Sequence, residues 1–216
     1  MKLFLTSAGL TNKSLVDAFN KLVGLPKEKI HISFIPTAAN VEEGNKDWLI
    51  EDYNNLNKQG YGCVDIVDIS AVTPKVWKPR LEASNILFFG GGNTFHLMHW
   101  IQKSRLDKQL PELLKTRVFA GISAGGCIAG PTIYNSVQNL FDEKYELVIK
   151  QGLNLVDFQF VPHLNSPYFK KIRIEFLEKA AKNVHEPVYV VDDNSAIQVV
   201  NNKVTAISEG VWKKIN

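Results

Sequence analysis

Ser123 is enclosed by small residues in Gly-Ile-Ser-Ala-Gly, Gly121–Gly125, directly after an apolar run that begins at Val118. A serine on a sharp strand-to-helix bend is the nucleophile elbow, G-x-S-x-G. Glycines flank it because the backbone and the following helix approach too closely for a β-carbon. The amides that open this helix, Ala124 first, could hold the oxyanion formed when a hydroxyl adds to a carbonyl. The same five residues also occur in glycine-rich turns that do no chemistry. The rest of the chain therefore has to supply a base, an acid and oxyanion donors.

His163 is the candidate base. It follows Pro162 at the end of the apolar segment Asp157–His163, where a strand end could bring it to the serine hydroxyl. His31 starts a strand and lies at the wrong edge. His96 and His99 sit one turn apart on a helix, and His185 lies in a turn before Pro187. The orienting acid is Asp193 or Asp192, at the end of Pro187–Asp193. Asp142 and Glu143 lie nearer Ser123 in sequence, and a Ser–His dyad is a further option. Gly90–Thr94 (Gly-Gly-Gly-Asn-Thr) also follows a strand. It can be read as an oxyanion hole, with Gly91 or Gly92 joining Ala124. It can also be read as a phosphate cradle without the P-loop lysine, or as a tight turn. Cys127, one helical turn past Ser123, reads as a small buried hydrophobe.

These residues need a frame that brings them together. Short apolar runs alternate with helical patterns. Strands are predicted over Lys2–Thr6, His31–Thr37, Cys63–Ile69, Asn85–Gly92, Arg117–Ser123, Asp157–His163 and Pro187–Asp193. Helices are predicted over Ser14–Gly24, with Leu15, Phe19 and Leu22 on one face, over Trp48–Gln59, from Thr94 to about Gln102, and from about Ser166 to Lys182. Ala196–Val200 and Val204–Ser208 read as a hairpin around Asn201-Asn202-Lys203. Near-continuously apolar strands alternating with helices indicate a doubly wound α/β domain over residues 1–216. Its sheet is mostly parallel and covered on both faces, with a small C-terminal antiparallel hairpin. In such folds ligands bind beyond the carboxyl ends of the strands. Ser7, Gly91, Ser123, His163 and the Asp192–Asp193 pair all follow strands. Ala38–Asp47 reads as a mobile loop near that edge.

Composition narrows the function. The 216 residues are 45% apolar and 22% charged, as in an ordinary globular protein. A net charge of +3, from 25 basic and 22 acidic residues without a dense basic run, gives no footprint for nucleic acid. Cys63 and Cys127 are far apart and form no metal or disulfide framework. No window is apolar enough to span a membrane, and the N-terminal run is too short for a signal peptide. The compartment expected is the cytoplasm.

Taken together, Phe88–Leu97, Gly121–Gly126, Phe160–Asn165 and Val190–Ile197 resemble the serine peptidase family of aspartyl dipeptidase (peptidase E) and cyanophycinase. The resemblance covers most of the chain in the same order. It implies a sheet like that of the class I glutamine amidotransferases, with Ser123 as nucleophile, His163 as base, and Gly91 and Ala124 as oxyanion donors. The family's aspartyl dipeptidases carry an aspartate about fifteen residues after the serine, where this chain has Gln138 as the nearest match. Cyanophycinase-like members take the acid from a segment that Asp192–Ala196 resembles, which points to Asp193. The arginine that reads an acidic substrate side chain aligns with Lys170, with Arg173 close by. Asn93 joins them as a substrate-binding candidate.

The expectation is a serine exopeptidase acting on short peptides with an acidic N-terminal residue, without metal or cofactor. No nucleic-acid or membrane partner is expected, and self-association is left open. The rivals are a small esterase of the α/β-hydrolase type and a non-catalytic phosphate- or nucleotide-binding module.

Overall fold

The computed structural model of the protein describes residues 1–133, 140–147, 149–182 and 184–216. Its first five strands are β1 (Lys2–Thr6), β2 (His31–Ile35), β3 (Cys63–Ile66), β4 (Ile86–Phe89) and β5 (Val118–Ile122). After β6 (Gln159–Val161) and β7 (Val188–Val191) come β8 (Ser195–Val200), β9 (Lys203–Ser208) and β10 (Trp212–Ile215). The larger sheet runs β3-β2-β4-β5-β1-β8-β9. Its first five members are parallel, and β8 and β9 close it antiparallel.

The alternation of side chains in this sheet feeds two cores. Leu3, Leu5, Leu87, Phe89 and Phe119 face one core. Phe4, Phe34, Ile86, Phe88 and Ala120 face the other. Period-two strands with both faces apolar have to be covered on both sides, and the helices do this. α1 (Lys13–Val23) buries Leu15, Phe19 and Leu22 in the second core and stops at Gly24 in the left-handed region (φ 74°). Burying Phe19 alone is worth about 2–3 kcal/mol. α2 (Asp47–Asn57) adds Leu56 on the same side. α3 (Pro74–Ala83), α4 (Thr94–Lys103) and α5 (Leu106–Leu113) cover the first core.

The sequence pattern does not predict α3 or α5, each of which contains an internal proline, Pro79 and Pro111. Proline removes a helical hydrogen bond and normally ends the pattern. Here Trp77 and Leu81, and Leu106, Leu110 and Leu113, sit at helical spacing and are buried, and that burial wins. β2 is shorter than predicted because Pro36 has no N–H to continue the ladder, and a 3₁₀ turn, Thr37–Val41, takes over.

One organisational difference matters for the site. The predicted strands carrying His163 and the aspartates do not join the main sheet. They form a second sheet, β10-β7-β6, with β6 and β7 parallel and β10 antiparallel to β7. It has its own core of Val161, Leu164, Ile172, Val188, Val190 and Ile215. The predicted hairpin is β8–β9, with Asn201 (φ 49°) and Asn202 (φ 67°) both left-handed at its turn. Among the described residues no helix is long and apolar enough to cross a membrane.

Candidate active site

β4, β5 and β1 are neighbours in the sheet, and their carboxyl ends deliver Gly91, Ser123 and Ser7 to one cavity of about 1340 Å³. The serine comes from the middle of the three. Ser123 holds a positive φ of 48°, uncommon for a residue with a side chain, and α6 (Ala124–Cys127) starts directly after it. The bend is as tight as the flanking glycines suggested. A β-carbon on Gly121 would lie 2.3 Å from the Gly125 carbonyl oxygen, and one on Gly125 would lie 2.1 Å from that of Phe89. The end of β1 pins the bend. The Ser123 amide donates to the Thr6 carbonyl (3.0 Å), and the Thr6 hydroxyl donates to the Gly121 carbonyl (3.0 Å).

His163 reaches this point from the second sheet. Its Nε2 lies 2.9 Å from Ser123 Oγ, and its Nδ1 lies 2.8 Å from Asp193 Oδ1. With Asp193 ionised, Nδ1 carries the proton and Nε2 is left to accept from the serine hydroxyl. Burial pushes the Asp193 carboxyl up. Hydrogen bonds from His163 and Ser7, with the histidine's charge, outweigh burial and hold it below the ordinary carboxylate value. Phe169 stacks on the imidazole with centroids 4.6 Å apart, and Phe141 meets it edge-on at 6.3 Å.

Ser7 is a participant that no sequence motif singled out. Its hydroxyl donates to Asp193 Oδ1 (2.5 Å), accepts from the His163 backbone amide (2.8 Å) and lies 3.2 Å from Nδ1. The one available signal was its position after β1, the strand beside β5.

The other candidate acids are engaged elsewhere. Asp192 accepts from the Ser195 hydroxyl (2.6 Å) and the Asn194 amide (3.1 Å) with one oxygen, and from the Val211 amide (2.7 Å) with the other. It organises the turn into β8. Asp142 pairs with Lys171 at 2.5 Å. Glu143 accepts from the Thr94 amide (2.6 Å) and hydroxyl (2.8 Å), so it caps α4 just past the glycine loop. Burial pushes its carboxyl up to about 8. The Glu143 carboxyl already occupies the helix terminus that a phosphate cradle would need. Gln138 lies outside the described residues. Cys127 is buried, and its Sγ donates to the Phe160 carbonyl at 3.6 Å. Burial drives its thiol far above the usual range and keeps it protonated.

The amides of Gly91 and Ala124 have no acceptor among the described residues, and both residues line the cavity. A β-carbon on Gly91 would sit 3.5 Å from that of Ser123. Free N–H groups beside a serine suit a developing oxyanion.

The structure does not bring the expected cations to the cavity. The Arg173 guanidinium is spent on the carbonyls of Phe169 (3.1 Å), Ile172 (2.9 Å) and Ser166 (3.0 Å). It thereby shapes the loop that carries Phe169. Lys170 is exposed and does not line the cavity. Turns around Pro167 also delay the predicted helix, so α7 spans only Ile174–Ala181. Asn93 does line the cavity, yet its side chain caps α4 through the His96 amide (2.9 Å) and donates to the Lys144 carbonyl (3.2 Å).

A serine with an imidazole, a carboxylate and free amides around it is equipped for acyl transfer. Comparison with known proteins agrees. The model of peptidase family S51 matches residues 3–207. The chain belongs to peptidase family S51. An uncharacterized peptidase of Listeria innocua is 30% identical over 210 residues, covering 93% of this chain and 98% of the relative. Peptidase E of Nostoc sp. is 32% identical over 136 residues, 57% of this chain and 55% of that protein. A crystal structure of a protein provisionally named peptidase E, from Listeria monocytogenes, superposes with a TM-score of 0.80 at 26% identity, covering 97% of this chain and 98% of the other. This member of family S51 is a serine-type peptidase, with the class I glutamine amidotransferase-like fold.

Proposed function

We propose that the chain is a cytoplasmic serine exopeptidase that cleaves short peptides through Ser123, His163 and Asp193. The carrying observation is the continuous hydrogen-bonded path from Ser123 Oγ through both ring nitrogens of His163 to Asp193, beside the free amides of Gly91 and Ala124. Ser123 Oγ adds to the scissile carbonyl while His163 Nε2 takes its proton. The Gly91 and Ala124 amides hold the oxyanion. His163 returns the proton to the leaving amine, and water, deprotonated in turn by His163, releases the acyl group. Asp193 keeps the proton on Nδ1 and stabilises the imidazolium.

The resemblance points to an acidic first residue, but the lining offers little to hold one. Lys144 is the one lysine or arginine among the described lining residues, against eight aspartates and glutamates. That lining also disfavours a phosphate or nucleotide ligand. Fluorophosphonate should label Ser123, and Ser123→Ala should lower dipeptide hydrolysis by about four orders of magnitude or more. Full hydrolysis by Ser123→Ala, or labelling at another residue, would end this reading.

A further inference from the structure

Of the eight carboxylates around the cavity, four have partners, Asp193 with His163, Asp142 with Lys171, Glu143 with Thr94 and Asp47 with Asn45, while Glu42, Glu43 and Glu51 keep contact with solvent. Asp52 differs. It is 9% exposed, lines the cavity from the middle of α2, and has no hydrogen bond or ion pair among the described residues. Removing a carboxylate from water without a partner costs several kcal/mol. Burial, with the charges of Glu51 and Asp193 added, accordingly pushes its carboxyl up to about 7. A protein that keeps such a group facing a cavity leaves room for a cation from outside.

The surroundings of Asp52 match that role. Trp48 lies one helical turn before it, and Glu51 lies beside it; all three line the cavity. The exposed Trp48 ring could offer its face to a cation. Glu42 and Glu43, from the segment leading into α2, line the same cavity. The α2 face is also close to the reacting serine. A β-carbon on Gly91 would be 3.5 Å from the Ser123 β-carbon and 3.7 Å from the Trp48 ring. One on Gly9 would lie 3.2 Å from Ile122, the residue before Ser123, and 3.8 Å from Asp52 Oδ1.

We propose that the α2 face formed by Trp48, Glu51 and Asp52 receives a positively charged nitrogen of the peptide, with Asp52 as its anchor. The inference rests on the reading of this cavity as the peptide site. A side-chain cation would move the expected substrate class from peptides with an acidic first residue to peptides with a basic one, and an α-ammonium would make a free N-terminus the requirement. An α-ammonium and a basic side chain offer the same chemistry.

Calorimetric binding to Ser123→Ala protein at pH 8 tests it without turnover, so a failure to hydrolyse peptides leaves the result readable. The probes are Lys-Ala, norleucyl-Ala, N-acetyl-Lys-Ala and Asp-Ala. Lys-Ala should bind at least about tenfold more tightly than one or both of norleucyl-Ala and N-acetyl-Lys-Ala, each of which lacks one of its two ammonium groups. A loss with norleucyl-Ala identifies the side chain as the source, and a loss with N-acetyl-Lys-Ala identifies the α-ammonium. Adding Asp52→Asn should bring the affinities to within about twofold of one another. Equal affinities before that substitution, tighter binding of Asp-Ala, no binding at all, or a preference that survives Asp52→Asn would each overturn the proposal.

Discussion

Ser7 bonds to Asp193 through its hydroxyl oxygen and to His163 through that residue's backbone amide, so one buried side chain fixes two members of the relay. It does not touch the reacting atoms, and we class it as a positioning residue. Ser7→Ala should lower kcat about tenfold with little change in KM. It should also raise the Asp193 pKa, because a donor that favours the ionised carboxylate is lost. A carbon NMR titration of that carboxyl separates this from mere loosening of the site. The sequence made Ser123 and His163 legible because each stands in a local pattern, a glycine-flanked bend and a strand end. Ser7 was opaque because its partners are 156 and 186 residues away. The local pattern left Asp192 and Asp193 equal, and only the family resemblance pointed to Asp193. Neighbours in a turn point to different places, and Asp192 is spent on Ser195, Asn194 and Val211.

Among the elements, the elbow is the one whose geometry the sequence encodes most directly. Gly125 is packed against the end of β4 with no room for a methyl group. Gly125→Ala must push α6 away from β4 or unmake the bend. We expect a loss of more than about 3 kcal/mol in urea unfolding, or no soluble protein, together with loss of fluorophosphonate labelling. Strands β1, β4 and β5 were readable because apolar runs of this length, bounded by glycine or polar turns, have few other uses. α3 and α5 were not, because Pro79 and Pro111 break the local signal while distant apolar neighbours supply the stabilisation. The separation of β6 and β7 from the main sheet was also hidden, since strand patterns say which segments pair-bond but not with which partner.

For the whole molecule, the cavity is a standing electrostatic load. Asp52 and Glu143 titrate near 7 and 8 in the folded chain, against about 4 when unfolded. Between those limits the folded state binds more protons than the unfolded one, so stability falls as pH rises from about 4 to 8, and the penalty is fully present above. Asp52→Asn should therefore raise Tm by several degrees at pH 8 and change it little at pH 4. A matched pair of thermal melts at the two pH values checks this. An increase at pH 4 equal to that at pH 8 would mean that charge is not the cause.

The division into two sheets has a kinetic implication. The hydroxyl belongs to one layer and its base and acid to another, joined across the Ser7 contacts, the Thr11 bond to the Asp193 carbonyl, the short link from β7 into β8, and Phe160 and Val191, which reach into the first core. A slight slip along that seam would disconnect the proton route while both layers stayed folded. Turnover in this peptidase therefore reports how well the two layers are docked, a property distinct from the persistence of the strands within either one.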